Sequence, residues 1–554
     1  MPVNQPHLRM RHAAPANVPW IGLAAAVVAG LVALLLVMGP SVMIMAPWDV
    51  FLLLDGAWRM LVGQTPHTDY FNPIGPLTYF TGTAGMRIAG ESLHGLVVGN
   101  AIFLVITAGT AMWVAFRRLP PPWAFMFVAF VALLLAATRS LGWDPQTPSY
   151  AMLYNRHGWA LLSILLVQLF VPDRASGGIA SRGGSLLEGA LIGALFLCKI
   201  TFFLVGAGAF ALAQLLSLRD RWRQIPWAAT GFAMACAAAW LAIGFNPLHY
   251  IHDIQSALAA QSHDYRMKLL REALDSNVLN FLTFSVLAGL LAAANWPALA
   301  IRRGFWLKAA LVCAYMLCSA LFITIGNARE RADIPMFFVA GLILLVTSRS
   351  LPLPAARESC FWKDWRLSLA AVAVILMMGR IAWGDAQSLA HSYGLREYRI
   401  SEAPQAQRFA SERLSDFVIP RDTDWRTTFW LSRDLPPVVN DGLEMLRRHV
   451  AADKVLVVLG YGDPFSFALG YRAHKHSPVW WDKGVSYNLD HFPVADTIFE
   501  AADYVMIPML PAGGGGGCCE NFVTSQESIY GGYLAAHYAE LERTEHWRLL
   551  QRKS

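Results

Sequence analysis

Long apolar runs separated by short charged loops fill the chain up to about residue 384, and beyond Asp385 that pattern stops. A helix needs about 20 apolar residues to cross a bilayer. The run from Trp20 to about Met45 meets this requirement. Further spans are expected over 94–116, 123–141, 158–172, 227–245, 278–297, 307–325, 335–348 and 367–384. The stretch 186–216 is too long for one span and is interrupted at Lys199. Loops 117–118, 174–182, 219–223, 302–308 and 349–366 carry Lys and Arg, and the excess of cations assigns them to the cytoplasm. With 174–182 and 219–223 on one side, 186–216 must cross an even number of times. Two short helices with Lys199 at the outer turn satisfy this. The expected total is about eleven spans, with the N-terminus cytoplasmic and the C-terminal region outside.

From Asp385 onward charge density rises and short β-like runs appear at 454–459 (KVLVVL), 503–507 and 547–550, with a helix expected over 525–542. The predicted fold class is a polytopic α-helical membrane protein with a C-terminal extracytoplasmic α/β domain. Residues 1–384 form the transmembrane domain and residues 385–554 the outer one, a normal domain size.

Composition supports this division. The mean hydropathy is +0.41, and 15% of residues are charged, against about 25% in soluble chains. The first run is longer than the apolar core of a signal peptide and lacks a small-residue cleavage site, so it is read as an uncleaved span. The seven cysteines show no metal-ligand spacing, and adjacent Cys518 and Cys519 make a poor zinc or disulfide signature. Glycines 513–517 lack the Lys-Ser/Thr of a phosphate-binding loop. No basic stripe interleaved with aromatics points to nucleic acid, and no inverted repeat of the transporter kind is evident.

The chemistry collects at one face. No charge occurs from Ala13 to Trp48, so Asp49, the first acidic residue, stands where the first span surfaces. An ionisable group held there is a functional candidate. The outer loops also hold Asp55, Asp69, Asp144, Arg156, Lys199, Asp253, Arg266, Lys268, Asn327, Arg329, Glu330 and Asp333. After Asp49, the residues Phe51, Leu54, Trp58 and Leu61 share one helical stripe, which predicts a short helix lying on the membrane surface with its apolar face down. Asp55 and Arg59 are spaced to pair on its polar side. Gly63, Pro66, Pro73, Gly75 and Pro76 then force turns around Asp69 and Tyr70.

This first outer loop, residues 47–93, resembles that of the GT-C superfamily of integral-membrane glycosyltransferases. Protein O-mannosyltransferases, the lipid A aminoarabinose transferase and other family 39-like enzymes belong to it. The matching residues are Asp49, Ala57, Gly63, Pro66-His67, Asp69-Tyr70 and Gly75-Pro76-Leu77. Val50 departs from the pattern, since many members carry a second acid there. Weaker likenesses are Tyr154-Asn155-Arg156 with Asp144 in the same loop, Lys199 in the sequence CKIT, and Asn327 before Arg329 and Arg331.

The resemblance implies transfer of a sugar from a polyprenyl-phosphate donor to a protein, lipid or glycan acceptor at the outer face of a bacterial inner membrane. An alcohol is a weak nucleophile and needs a base within hydrogen-bond reach; Asp49 is the candidate. Asp69 and Asp144 are the candidates for a second acid. Lys199, Arg156 and Arg329 are the candidates to hold the donor phosphate, as a point charge or a bidentate fork. One base acting directly implies inversion at the anomeric carbon. Asp49, Asp69 and Asp144 would serve a divalent metal only if they converged, and no metal is assigned. In the outer domain, Trp480, Trp481, Tyr471, His474 and Tyr487 form either a sugar-stacking surface or core. Two other classes stay open: a transporter or flippase of a lipid-linked saccharide, which calls for polar groups at mid-membrane, and an inactive scaffold homologue, which Val50 would suit.

Overall fold

The computed structural model describes residues 17–174, 181–216, 222–261, 263–295, 303–326, 333–349, 364–397, 406–420, 435–510 and 520–553. Every expected span position holds a helix. The first ten helices are α1 (Val18–Met38), α2 (Asp49–Leu61), α3 (Leu77–Ala89), α4 (Leu93–Arg118), α5 (Pro121–Ala136), α6 (Leu153–Phe170), α7 (Arg182–Cys198), α8 (Ile200–Leu216), α9 (Ile225–Ile243) and α10 (Pro247–Ala260). They are followed by α11 (His263–Ser276), α12 (Val278–Ala294), α13 (Arg303–Ile325), α14 (Met336–Arg349) and α15 (Trp365–Gly394). Among the described residues, five helices are long and apolar enough to cross a membrane: Val18–Met38, Leu93–Arg118, Trp222–Ile243, Arg303–Ile325 and Trp365–Gly394. The pair formed by Arg266–Ser276 of α11 and α12, bent by 57° at its break, passes the same length and composition test only when taken together. Helices such as α5 and α8 are apolar but shorter; at 1.5 Å per residue, 16 residues reach only about 24 Å of a core about 30 Å thick.

Two details of the helical body follow directly from the sequence. The break between α7 and α8 falls at Lys199, whose backbone is extended (φ −166°, ψ 136°). Small residues bring α7 and α9 into backbone contact: a side chain at Gly189 would lie 1.8 Å from the Ala228 carbonyl oxygen, and one at Gly231 would lie 2.0 Å from that of Leu186. Such close approach is how helices pack where apolar burial gives no driving force.

The C-terminal region, named the outer half after its expected side, folds around a four-stranded sheet. Strands β1 (Ala406–Arg408) and β2 (Val418–Pro420) form a separate antiparallel pair. The sheet itself runs β3 (Leu456–Val458), β4 (Tyr504–Pro508), β6 (Trp547–Arg552), β5 (Tyr538–Arg543), with β3 parallel to β4 and the other pairs antiparallel. Alternation along the strands gives it two apolar faces. Val457, Val505, Ile507 and Leu550 pack with Phe499, Tyr530 and Leu534 of α18 (Ala495–Phe499) and α19 (Glu520–His537). Leu456, Val458, Met506 and Leu549 pack with Val438, Val439, Leu443 and Leu446 of α16 (Leu435–His449), beside α17 (Phe465–Leu469). The helix expected over 525–542 ends earlier, at His537, because Tyr538–Arg543 pairs with β6 as an edge strand. The proposed boundary at Asp385 falls inside α15, which continues to Gly394.

The main correction concerns α2. Its apolar stripe is not left open to lipid. Val50 through Met60 are all buried, and the stripe expected to face lipid instead enters the core of the outer half. Phe51 meets the rings of Phe409 and Phe417 at 5.5 Å each, and Trp58 meets Phe467 at 6.1 Å. Periodicity shows that a face is apolar; it does not show what covers it.

A buried ion network closes the end of the bundle where α5 stops and α6, α14 and the last turns of α15 meet. Arg139 binds Asp333 (2.9 Å) and Asp385 (3.0 Å), Arg156 binds Asp385 (3.0 Å), and Arg380 reaches Asp333 (3.3 Å). Asp385→Ala would leave two buried guanidinium groups without this acid, at a cost of about 3–5 kcal/mol. The expected result is a large fall in the thermal midpoint in detergent. An unchanged midpoint would show that the network adds no stability.

Candidate active site

Asp49 is the first residue of α2, where a carboxylate is favoured by the helix dipole. Ala46, at φ 49°, turns the chain from α1 into this helix. The Tyr461 hydroxyl, which belongs to the outer half, donates to Asp49 Oδ1 at 3.1 Å. Burial, then the Asp49 charge, pushes the Tyr461 phenol well above 10, so it stays a donor.

Two to three turns further on, α2 and the turn after it are bolted to the outer half by their polar atoms. Trp58 Nε1 donates to the Tyr471 carbonyl (2.8 Å), Arg59 to the His474 carbonyl (2.8 Å) and Ser477 Oγ (3.1 Å), and Gln64 to the Ala473 carbonyl (2.5 Å). The expected Asp55–Arg59 pair forms at 2.8 Å, buried. Burial, with Arg59 and His476 adding to it, lowers His474 from 6.5 to about 4. A base kept neutral in the fold contributes no penalty above 6.5, and stability is lost as pH falls from 6.5 towards 4. The thermal midpoint is therefore expected to drop across that window, and His474→Gln to flatten the slope. An identical slope in the variant would remove His474 as the cause.

Asp69 does not join Asp49. Its carboxylate accepts from the Thr65 backbone N–H (2.8 Å) and from Lys475 (2.9 Å), while its carbonyl accepts from the His476 N–H (2.5 Å). It ties the first loop to the outer half. Asp144 is exposed and closes its own turn, accepting from the Gln146 N–H at 2.8 Å. The three acids thus have three separate sets of partners and do not form one donor set. Among the described residues no cluster of three His, Cys, Asp or Glu suits a metal.

The return of the first loop seats directly on the α7–α8 break. The Gly75 N–H donates to the Cys198 carbonyl (3.1 Å), and a side chain at Gly75 would lie 2.1 Å from the Leu197 carbonyl oxygen. Only glycine fits between loop and break, which explains the glycine of the GPL sequence. Lys199, at the break, is buried; its Nζ donates to Asn155 Oδ1 (3.2 Å) and lies 5.2 Å from the centre of the Tyr154 ring. His67, at φ 65°, meets Asp253 of α10 at 2.8 Å, and Asp253 also accepts from the Asn72 N–H (3.0 Å).

A cavity of about 140 Å³ opens beside Lys199. Its walls come from the first loop (Ile74), α10 (Ile254, Leu258), α13 (Phe322, Ile325) and the outer half (Trp480, Val485), and Arg266 adds a second cation. Arg266 is held by the neutral Gln261 Oε1 at 3.0 and 2.6 Å. Trp480 also packs on Tyr461 at 6.4 Å, so two aromatic side chains, Tyr461 and Trp480, link Asp49 to the wall of this cavity.

Arg156 is corrected. Besides Asp385, it donates to the Arg139 carbonyl (2.5 Å) and the Leu134 carbonyl (2.8 Å), so its fork is spent inside the bundle. Successive residues of α6 point apart: Asn155 towards Lys199, Arg156 towards Asp385. Arg329, Asn327 and Arg331 lie outside the described residues, as do Gly513–Gly517, Cys518 and Cys519. Of the two readings left open for the outer-domain aromatics, core describes most of them: Trp481, Tyr487, Tyr471 and His474 are buried, with Trp481 edge-on to Tyr487 and Tyr530. Only Trp480 of that group lines the cavity. Tyr461, which meets Asp49, and Arg266, which lines the cavity, were not among the candidate site residues of the sequence. The signal for Tyr461 was a Gly-Tyr-Gly turn directly after the run KVLVVL.

No protein-family model and no curated protein matches this chain. Among solved structures, the chain is similar to ArnT from Cupriavidus metallidurans in the apo state, with 13% identity and a TM-score of 0.42 over 97% of this chain and 98% of that one. It is also similar to ArnT bound to undecaprenyl phosphate (14% identity, TM-score 0.44, 96% and 98%). A third likeness is to the archaeal oligosaccharyltransferase AglB from Archaeoglobus fulgidus, in complex with an inhibitory peptide and a dolichol-phosphate (11%, 0.32, 87% and 69%).

Proposed function

We propose that this chain is a membrane-embedded glycosyltransferase. It moves a sugar from a polyprenyl-phosphate donor to an acceptor at the extracytoplasmic face of a bacterial inner membrane, with its N-terminus in the cytoplasm and its C-terminal half outside. The observation that carries this reading is the cavity that joins two cations, Lys199 and Arg266, to apolar walls. Two cations beside apolar walls suit an anionic headgroup carried on a hydrocarbon chain, because the charge and the chain each meet a matching surface. Arg266 takes the place that the sequence had suggested for Arg156.

In this reading the donor phosphate binds at Lys199 and Arg266. Asp49 accepts the proton of the acceptor hydroxyl as its oxygen bonds to the anomeric carbon. The carbon–oxygen bond to phosphate breaks, and the polyprenyl phosphate leaves with the electron pair and gains negative charge that the two cations stabilise. A single displacement inverts the anomeric centre. Val50, next to Asp49, is buried and is no second acid, so this reading gives the base to Asp49.

The test is transfer by purified protein from radiolabelled undecaprenyl-phosphate hexoses, with membrane extract as the source of acceptor. Label is expected to move into an acceptor fraction with the opposite anomeric configuration. Absence of transfer from every donor would overturn the reading and favour a carrier of lipid-linked saccharide.

A further inference from the structure

Asp49 belongs to the helical half of the chain, whereas the group that holds it belongs to the outer half, 412 residues away in sequence. We propose that Tyr461 is a positioning residue for the Asp49 base, and that Gln526 fixes Tyr461 by clamping the backbone of Gly460. This deepens the transferase reading and rests on it.

The first support is the construction around Tyr461. Its ring is buried between Trp480 (6.4 Å) and Phe522 (5.4 Å), and its carbonyl accepts from the Trp481 N–H at 2.8 Å. The preceding residue, Gly460, adopts φ 118°, a conformation that side-chain-bearing residues rarely take. Gln526, buried on α19, closes on this one residue from both sides. Its Oε1 accepts from the Gly460 N–H (2.8 Å), and its Nε2 donates to the Gly460 carbonyl (2.9 Å).

The second support is what this clamp leaves the tyrosine free to do. Filling the space behind a sheet requires only an apolar side chain, and a buried primary amide is tolerated only when both its ends are satisfied. Here both ends are satisfied by the residue next to Tyr461. The phenol is thereby held at a fixed height over the start of α2. A carboxylate with a fixed donor on one oxygen loses its freedom to rotate, so the proton-accepting lone pairs of Asp49 keep one direction. Alignment of that kind governs rate more than affinity.

Tyr461→Phe keeps the ring and deletes the donor. Its kcat is expected to fall about 10–100-fold, with the KM for the undecaprenyl-phosphate hexose and the thermal midpoint unchanged. Gln526→Leu is expected to lower kcat in the same direction. Gln526→Glu, which retains only the acceptor half of the clamp, should fall between Gln526→Leu and wild type. Wild-type kcat in Tyr461→Phe would overturn the proposal while leaving the transferase reading intact. So would a lower midpoint with full kcat per folded molecule. Wild-type kcat in Gln526→Leu would overturn the role given to the clamp. An inactive wild-type protein would overturn both the transferase reading and this proposal.

Discussion

Asp49→Asn is expected to lower sugar transfer by about 10²–10⁴-fold, the range of a lost general base, in a protein that still folds. The amide keeps the size of the carboxylate and can still accept from Tyr461, so the helix start and the contact at 3.1 Å survive. What is lost is the ability to take a proton. Thermal unfolding in detergent and the rate of label transfer, measured on the same sample, separate the two effects. Transfer at the wild-type rate by a folded Asp49→Asn protein would show that another group is the base. Asp69 is already engaged with Lys475 and Asp144 with its own turn.

Lys199→Ala is expected to reduce kcat/KM by about 10²–10³-fold, the effect of removing one preorganised stabiliser of developing charge. Lys199→Arg should recover part of it, because charge is restored but the short reach to Asn155 Oδ1 is not. Arg266→Ala should cost less, since Arg266 is only half-buried and water screens it more. The discriminating quantity is kcat/KM with a truncated, water-soluble donor that retains the phosphate. If Lys199→Ala loses nothing on that donor, the lysine serves the fold at the α7–α8 break and not the phosphate.

The parts of this structure that could be read from the sequence are those fixed by local rules. Uncharged runs gave the helix positions, and a charge inside 186–216 gave the break at Lys199, because a lone cation is costly within a span. The Asp55–Arg59 pair followed from i,i+4 spacing. Gly75 and its proline marked a tight return, although not that the return would rest on Leu197 and Cys198. The failures share one cause. Arg156 looked available because its partner, Asp385, lies far along the chain and reaches it only through the fold, in which α5 and α14 each pack against both α6 and α15. The stripe on α2 looked like a lipid-facing surface because its cover, Phe409, Phe417 and Phe467, comes from the other end of the sequence. Tyr461 and Gln526 act through contacts set by the tertiary fold, and spacing along one segment carries no trace of such contacts.

The insertion of α2 into the outer half has a consequence for how such a chain can diverge. Composition changes near residue 385, yet a crossover there between two relatives would split one continuous interface. The incoming outer half would need carbonyls placed for Trp58, Arg59 and Gln64, a pocket for Phe51, and a hydroxyl over Asp49. New acceptor-facing surfaces therefore have to arise on the rim, in loops remote from the 471–481 segment, while that segment and α2 change only in step. Variation among descendants of this chain should be lopsided, with the seam held and the periphery drifting.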